Sequence, residues 1–202
     1  LCTAMAAFFA GCKTKAKEVN PAFVKYIYAY TSGVISKQSA IRVQLTGEVN
    51  VTHAQNDPVA DEVFSFPPAT KGKAFWVDAT TLEFRPDQNL QPGKTYQAKF
   101  RLGKVMTVPS DLKVFEFEFQ VMKPSFEVEL MGLKSANTSK DRMNFYGAVH
   151  TADAEDVQAI EKIIAVRYDG SKPTITWQHD VAQRISKFTI NNIIRKTVAG
   201  NM

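Results

Sequence analysis

The chain has 202 residues, of which 45% are hydrophobic and 22% charged, and its formal net charge at pH 7 is +5. This composition is that of ordinary globular proteins with a normal buried core, and it excludes a low-complexity chain. The length suits two small domains. Lysine and arginine residues lie singly along the predicted strands, so we interpret the positive charge as a solvated basic surface and expect no nucleic-acid partner.

The first twelve residues have the pattern of a bacterial lipoprotein signal peptide. Residues 1–11 form an uncharged, largely apolar run that ends in Ala10 and Gly11, and Cys12 follows directly. Signal peptides of this kind need a short hydrophobic segment and small residues at the cleaved bond, here with a thiol immediately after it. The run is too short for a transmembrane helix, which needs roughly 20 apolar residues. We therefore predict cleavage between Gly11 and Cys12.

Cys12 is the predicted lipidation site, and residues 12–22 are the predicted tether. Acylation adds about 0.8 kcal/mol of membrane affinity per buried methylene, and two or more chains anchor a protein stably. We expect the mature protein to be held in the cell envelope, on the periplasmic face of a membrane, with surface display as the alternative. Lys13, Lys15 and Lys17 stand where surface-exported lipoproteins often carry acidic residues, which favours the periplasmic face.

The two cysteines limit the chemistry of the chain. Cys2 lies in the part that signal cleavage would remove, so a lipid-blocked Cys12 would be the single cysteine of the mature protein. A disulfide, a zinc cluster or a cysteine nucleophile could not then form. Under the competing interpretation, residues 1–11 are a piece of buried helix and Cys12 is an ordinary thiol. No initiator Met or basic region precedes Leu1, which leaves that interpretation open.

Residues 23–122 have the pattern of an all-β sandwich. Runs rich in β-branched and aromatic residues alternate with period two, and turn residues interrupt them at intervals of about 8–12 positions. The clearest alternation lies at 114–121, where Phe115, Phe117 and Phe119 point one way. The other predicted strands lie at 25–30, 41–46, 63–66, 74–77, 81–84 and 95–102.

Four residues of this segment are predicted to be structural. Pro92 and Gly93 predict a type II turn, because proline fixes φ and glycine accepts a positive φ. We interpret Trp76 and Tyr96 as core residues whose polar atoms reach the rim, in preference to a ligand-stacking role.

A second β-rich unit is predicted at residues 125–202, after a very short linker at Lys123–Pro124. Its predicted strands lie at 126–131, 143–149, 175–177 and 185–190. The tail after the run Ile-Ile-Arg-Lys at 193–196 carries no closing element, so we expect this unit to be incomplete.

The second unit contains one predicted helix of about three turns. Asp153 is predicted to cap it, and Glu155 and Asp156 add negative charge that favours the N-terminal end of its dipole. Its apolar stripe consists of Val157, Ile160 and Ile164. The three acids could supply the oxygen ligands that calcium prefers, but helix capping explains them at lower cost.

The sequence carries no recognisable catalytic, metal or cofactor motif. His53, His150 and His179 are far apart and lack metal-ligand spacing, and no nucleophile elbow, zinc-protease motif, phosphate loop or dinucleotide fingerprint occurs. We therefore predict that the chain is not an enzyme and uses no cofactor. A carbohydrate- or phosphate-processing enzyme is the least favoured alternative, for want of convergent polar residues.

Glu116 and Glu118 could be mistaken for the carboxylate pair of a glycosidase. Residues two apart on a strand face the same way, and here that face points outward. We interpret both as solvated edge charge, beside Lys99 or Arg101 of a neighbouring strand if those strands pair.

Several short motifs carry a family resemblance. They are Tyr-Ala-Tyr-Thr-Ser-Gly-Val-Ile-Ser at 28–36, Gly-Lys-Ala-Phe-Trp-Val-Asp at 72–78, Thr-Leu-Glu-Phe-Arg-Pro at 81–86, Leu-Gln-Pro-Gly-Lys-Thr-Tyr at 90–96 and Leu-Lys-Val-Phe-Glu-Phe at 112–117. Together with the lipoprotein signal, the chain resembles the N-terminal portion of the bacterial alpha-2-macroglobulin family. The resemblance is strongest over residues 19–133, and it implies a bacterial Ig-like domain followed by a macroglobulin-like domain.

The resemblance implies part of a protease trap, in which a bait segment is cut and the protein then entangles the protease. The family's thioester motif, Cys-x-Glu-Gln, has no match at Cys2 or Cys12, and no bait region can be assigned. The expected role is therefore a non-catalytic scaffold, with the membrane, further domains of a longer chain and target proteases as partners. The alternative is an Ig-like surface lipoprotein that binds protein or glycan, like an adhesin.

Overall fold

The computed structural model describes residues 19–47, 49, 54–59, 62–136, 139–169 and 172–195. Within these ranges, twelve β-strands form three four-stranded sheets, accompanied by one short α-helix and three 3-10 helices. The predicted all-β, sandwich-like fold is confirmed.

The strands of the first unit are β1 (Ile27–Tyr30), β2 (Gly33–Ile35), β3 (Ile41–Leu45), β4 (Phe64–Ser65), β5 (Gly72–Trp76), β6 (Thr81–Pro86), β7 (Thr95–Phe100) and β8 (Phe115–Val121). Its 3-10 helices lie at Pro21–Lys25, Leu102–Lys104 and Ser110–Leu112. The second unit contains β9 (Phe126–Ala136), β10 (Ser139–Thr151), α1 (Val157–Glu161), β11 (Ile175–Asp180) and β12 (Ile185–Ile194).

Sheet A has the strand order β1-β3-β6-β5, sheet B the order β2-β8-β7-β4, and sheet C the order β11-β12-β10-β9. Strand β2 runs parallel to β8, whereas the other pairs are antiparallel. The chain therefore leaves sheet A after β1 and enters sheet B with β2. This crossing places residues 36 and 37 at the end of β2, where they meet the second unit.

Sheets A and B pack face to face through one hydrophobic core. Strand β8 follows the predicted alternation, because Phe115, Phe117 and Phe119 are buried and the residues between them are not. Strand β3 buries Ile41, Val43 and Leu45 in the same way. Burial of alternate apolar side chains from two facing sheets is what stabilises a sandwich.

Strand β1 departs from the simple alternation predicted at 25–30. A register shift against β3 falls between Ile27 and Ala29, so Ile27 is buried while Tyr28 is 75% exposed. The ring of Tyr30 returns to the core and lies 5.0 Å from that of Phe115. The extra residue of a β-bulge reverses the face of the residues that follow, which a period-two pattern cannot show.

The predicted turn and the two predicted core aromatics are confirmed. Gly93 has a φ of +74°, and the Lys94 amide donates to the Gln91 carbonyl at 3.3 Å. Trp76 and Tyr96 are both buried, and the Tyr96 hydroxyl accepts a hydrogen bond of 3.0 Å from the Gln91 amide. The hydroxyl therefore braces the turn that begins its own strand.

Sheet C has a separate core on one face. Its buried members are Val149, Ile160, Phe188, Ile190 and Ile193, with Ile160 supplied by α1. The Phe188 ring lies directly over Gly147, where an added Cβ would come within 2.3 Å of the ring. Only a glycine leaves room for this ring at the centre of the sheet.

The predicted three-turn helix is wrong in its length and in its cap. Helix α1 has five residues, and Asp156, not Asp153, is the N-cap, with its side chain accepting from the Ala159 amide at 3.0 Å. The β-branched residues Ile163 and Ile164 follow the helix in irregular chain and pack on the second core. Crowding at χ1 disfavours such residues in a helix, whereas an irregular segment can lay them along the sheet. Asp153 instead accepts hydrogen bonds from Ser36 and Lys37 of the first unit.

Candidate functional site

The residues predicted for processing and lipidation, Gly11 and Cys12, lie outside the described residues. The tether at 12–22 is described from residue 19 onward. Among the described residues, no helix is long and apolar enough to cross a bilayer.

The two histidines within the described ranges, His150 and His179, lie on different strands of sheet C. His53 is outside the described ranges, and His150 Nε2 lies 3.2 Å from Glu129 Oε2 on the surface of sheet C. Within the part of the chain that the structure describes, no group of three or more His, Cys, Asp or Glu side chains is placed to hold a metal ion. The acids Asp153, Glu155 and Asp156, once considered together for calcium, point to different partners.

His179 belongs to a serine–histidine–carboxylate chain. Its Nδ1 lies 2.9 Å from Ser186 Oγ and its Nε2 lies 3.2 Å from Glu161 Oε1, while the ring stacks on Trp177. These are the residue types of a catalytic triad, but Ser186 is only 4% exposed, so no substrate carbonyl can reach its hydroxyl. The hydrogen bonds of Ser186, His179 and Glu161 instead link α1 to strands β11 and β12.

The predicted edge position of Glu116 and Glu118 is wrong, because β8 lies between β2 and β7 in sheet B, and both glutamates are half-buried on its outer face. Lys99 Nζ lies 3.2 Å from Glu116 Oε1, and Gln97 Nε2 donates to Glu118 Oε2 at 2.8 Å. Arg101, the other cation considered, pairs instead with Glu62. Both carboxylates have partners on β7, and only Glu118 of the two lines a cleft, of about 650 Å³, so they do not form a carboxylate pair across one site.

Glu83 is a buried carboxylate in the middle of β6, and sequence reasoning missed it. It is 4% exposed on the outer face of sheet A, where Arg42 Nε donates to one oxygen and Arg85 Nε donates to the other at 2.6 Å. Burial by itself raises the pKa of Glu83, but the hydrogen bonds and charges of Arg85 and Arg42 outweigh it and leave the pKa below 4.5. Arg85 also stacks over the Phe75 ring at 4.5 Å.

The signal for this ion cluster was present in the sequence. Glu83 and Arg85 are two residues apart and so share a face of β6, and Arg42 is the polar residue between two core positions of β3. What the sequence lacked was the register that sets Arg42 directly opposite Glu83.

Asp153 lies at the junction of the two β units and is also 4% exposed. One of its oxygens accepts from Ser36 Oγ at 2.6 Å and from the Ala154 amide at 2.8 Å. The other oxygen accepts from the Lys37 amide at 2.8 Å. The carboxylate therefore binds the segment after β2 in the first unit to the segment after β10 in the second.

A second charged contact reinforces the first. Lys37 Nζ lies 2.6 Å from Glu155 Oε2, and both side chains are largely buried, with 13% and 27% exposed. We call Ser36, Lys37, Asp153 and Glu155 the junction cluster. It joins residues that are 116 to 118 positions apart in the chain.

Hydrogen bonds keep the Asp153 carboxylate charged despite its burial. Burial alone raises the pKa of Asp153, but donation from Ser36, Lys37 and Ala154, together with the Lys37 charge, brings the pKa below its ordinary value of 3.8. The Asp153 carboxylate is therefore ionised at neutral pH.

A cleft of about 460 Å³ opens beside the junction cluster. Its lining includes the apolar side chains of Phe126, Ile160 and Ile163 together with Glu155, whose carboxylate pairs with Lys37. The surface of the cleft is mainly apolar.

The comparisons with known proteins give no family. A comparison with models of known protein families found no match, and a comparison with curated proteins found none. The function is therefore argued from the residues and the fold.

Proposed function

We propose that this chain is the non-catalytic N-terminal scaffold of a membrane-anchored, alpha-2-macroglobulin-like protease inhibitor. The observation that carries the proposal is that the motifs bearing the family resemblance build the frame of a two-sheet β-sandwich. The segment at 81–86 is strand β6, and the segment at 90–96 is the braced turn that begins β7. Ig-like modules are two-sheet sandwiches, so a fold of this class supports the Ig-like domain that the resemblance implies.

The second support is the way the two β units are joined. Four residues separate β8 from β9, and the junction cluster links the units a second time through side chains. Two units held in this way suit an arm that spaces a larger trap from a membrane. In this proposal Cys12 carries the lipid, and the bait region and capture machinery belong to a longer polypeptide.

Mass spectrometry of the protein purified from bacterial membranes tests the anchor. The proposal expects an N-terminus at Cys12 that carries acyl chains, and expects Cys12→Ser to release the protein from the membrane fraction. Finding residues 1–11 still attached to an unmodified thiol in the native bacterium would contradict it.

Protease protection tests the trap. The full-length product of the natural gene is incubated with a broad-specificity protease, and cleavage of a small peptide substrate is compared with cleavage of a large protein substrate. A trap leaves the first activity and suppresses the second. Equal loss, or no loss, of both activities would contradict the inhibitor proposal.

One observation favours the second candidate, a surface lipoprotein that binds protein or glycan. The outer face of sheet A carries Arg42, Lys73 and Arg85 around the single carboxylate of Glu83, and the exposed Tyr28 lies on the same sheet. A face with excess cations and an exposed aromatic ring suits an anionic partner. The natural reading frame separates the two candidates, because a trap requires many more β-domains and a thioester-type region after residue 202.

A further inference from the structure

We infer that the junction cluster is a latch that holds the two β units in one fixed orientation, with Asp153 as its central positioning residue. This inference depends on the contacts at the junction and not on the proposed inhibitor role. No motif in the sequence indicates that the two β units have a fixed relative orientation.

Both sides of the latch are anchored within their own units. In the first unit, the Lys37 carbonyl accepts from the Leu90 amide at 2.8 Å. In the second, Arg184 Nη1 donates to the Ala152 carbonyl at 2.8 Å, and Thr151 Oγ1 donates to the Asp153 carbonyl at 2.8 Å. Because the main chain is fixed on each side, a contact between the two segments fixes the units themselves.

The linker alone would not restrain the units to this extent. Residues 122–125 join β8 to β9 without regular structure, and two domains joined in this way ordinarily move relative to one another. Main-chain bonds hold both ends of this linker, from the Met122 amide to the Ile35 carbonyl at 2.8 Å in the first unit and from the Ala152 amide to the Ser125 carbonyl at 2.9 Å in the second. Each of these bonds fixes one end of the linker to its own unit, whereas the bonds of the junction cluster join the two units to one another.

The chemistry of the latch favours a stiff contact over a transient one. Bonds from neutral donors to a charged carboxylate are shorter and roughly twice as strong as those between neutral groups. Exposed ion pairs are weak because water competes for both partners, but Asp153, Lys37 and Glu155 are largely withdrawn from water. The positive charge of Lys37 acts directly on Asp153, and Arg184 donates to the carbonyl of the neighbouring Ala152.

The test measures the distance between the two units. The full chain carries Cys2→Ser and Cys12→Ser, and spin labels are attached at Gln88→Cys in the first unit and Gln178→Cys in the second. Pulsed electron paramagnetic resonance then gives the distribution of label-to-label distances. We expect one narrow peak in this background and a distribution about twofold wider with Asp153→Asn, whose amide cannot accept from both Ser36 and Lys37.

Asp78→Asn is the matched control. Asp78 also accepts from two backbone amides, those of Thr80 in the turn between β5 and β6 and of Thr81 at the start of β6, so its bonds stay within the first unit. The same chemical change there should leave the distance distribution unchanged. A width in Asp153→Asn equal to that of the background, with native circular dichroism, would overturn the latch.

Ser36 provides a second pair of variants in case Asp153→Asn does not fold. Ser36→Ala removes one donor and should widen the distribution, whereas Ser36→Thr keeps the hydroxyl and should preserve the narrow peak. Equal widths for the two Ser36 variants would also overturn the latch, because a purely local role of Asp153 does not depend on that hydroxyl.

Discussion

At the scale of single residues, three carboxylates are stabilised by hydrogen bonds from the protein and not by water alone. Glu83 is held by two guanidinium groups, Asp153 by donors from both β units, and Asp78 by the backbone of a turn. For each of these carboxyls, the donated hydrogen bonds and nearby positive charges lower the pKa more than burial raises it, so the pKa lies below its ordinary value. These residues therefore contribute to stability only while they are ionised.

Replacing Glu83 by glutamine should destabilise the first unit. The amide cannot accept from both guanidinium groups, and Arg42 and Arg85 then repel one another across a buried position. Because both arginines are themselves well exposed, we expect a loss of about 1–2 kcal/mol in the free energy of unfolding, measured in urea. Glu118→Gln, at a half-buried position of β8 where the hydrogen-bond partner is the neutral Gln97, is the control and should cost less than about 0.5 kcal/mol. Equal losses would contradict the buried ion cluster.

Acid should weaken the protein through these carboxylates. A carboxyl whose pKa is lowered in the folded state contributes stability above its unfolded pKa and loses it as the pH falls through the folded value. We therefore expect the free energy of unfolding to be level above about pH 5 and to fall below about pH 4. The variant Glu83→Gln should show a shallower fall, because its side chain does not titrate. An identical slope in wild type and variant would show that Glu83 is not among the responsible groups.

At the scale of elements, β9 is an apolar strand at the edge of sheet C, and its irregular backbone disfavours pairing with a further strand on its open side. Phe126, Leu130 and Leu133 are exposed on the face of sheet C that carries its core. A register shift against β10 and a φ of +93° at Gly132 place a bulge in the middle of the strand. Bulges interrupt the regular edge that another strand would need, so β9 combines exposed apolar surface with an irregular backbone.

Replacing Gly147 by alanine should disturb strand β10 where Phe188 crosses it. The new methyl group would lie within 2.3 Å of the Phe188 ring and 2.8 Å of the Glu129 carbonyl oxygen, and the buried ring has little room to move. We expect a loss of about 1–3 kcal/mol in the free energy of unfolding, as for overpacked cores. Gly47→Ala is the control, since no atom lies within 4 Å of its added Cβ. A neutral Gly147→Ala would contradict the close approach.

At the scale of the whole molecule, the two hydrophobic cores are separate and the junction between them is polar. The first core fills the space between sheets A and B, and the second lies between sheet C and the segment around α1. The contact between the units depends on hydrogen bonds and an ion pair. Each unit is therefore expected to respond mainly to changes in its own core.

Replacing a large core residue by alanine in each core should show whether the two units unfold independently. Phe100→Ala in the first core and Phe188→Ala in the second should each cost about 3–5 kcal/mol in the unit that contains it. Hydrogen exchange followed by mass spectrometry should show lost protection in sheets A and B for the first variant and in sheet C for the second. Uniform loss of protection across all three sheets in both variants would mean that the molecule unfolds as one unit.

The sequence predicted those parts of the fold that depend on neighbouring residues. Strands β3 and β8 follow the period-two pattern, and the turn at Gly93 follows from its Pro-Gly chemistry. The length of α1 could not be predicted, because packing on sheet C competes with helix formation after Glu161. Of the candidate sites, Cys12 remains a prediction, since it lies outside the described residues.

What the sequence by itself determined is local: an all-β chain, its main strands and its Pro-Gly turn. What only the tertiary structure decided is which charged side chains are buried and which partners they meet. The sequence predicts that Asp153 caps a helix, yet its carboxylate accepts hydrogen bonds from Ser36 and Lys37, more than a hundred positions away. The reason is physical, because alternation and turn geometry depend on adjacent residues, whereas the burial of a charge depends on how separate sheets and units come together.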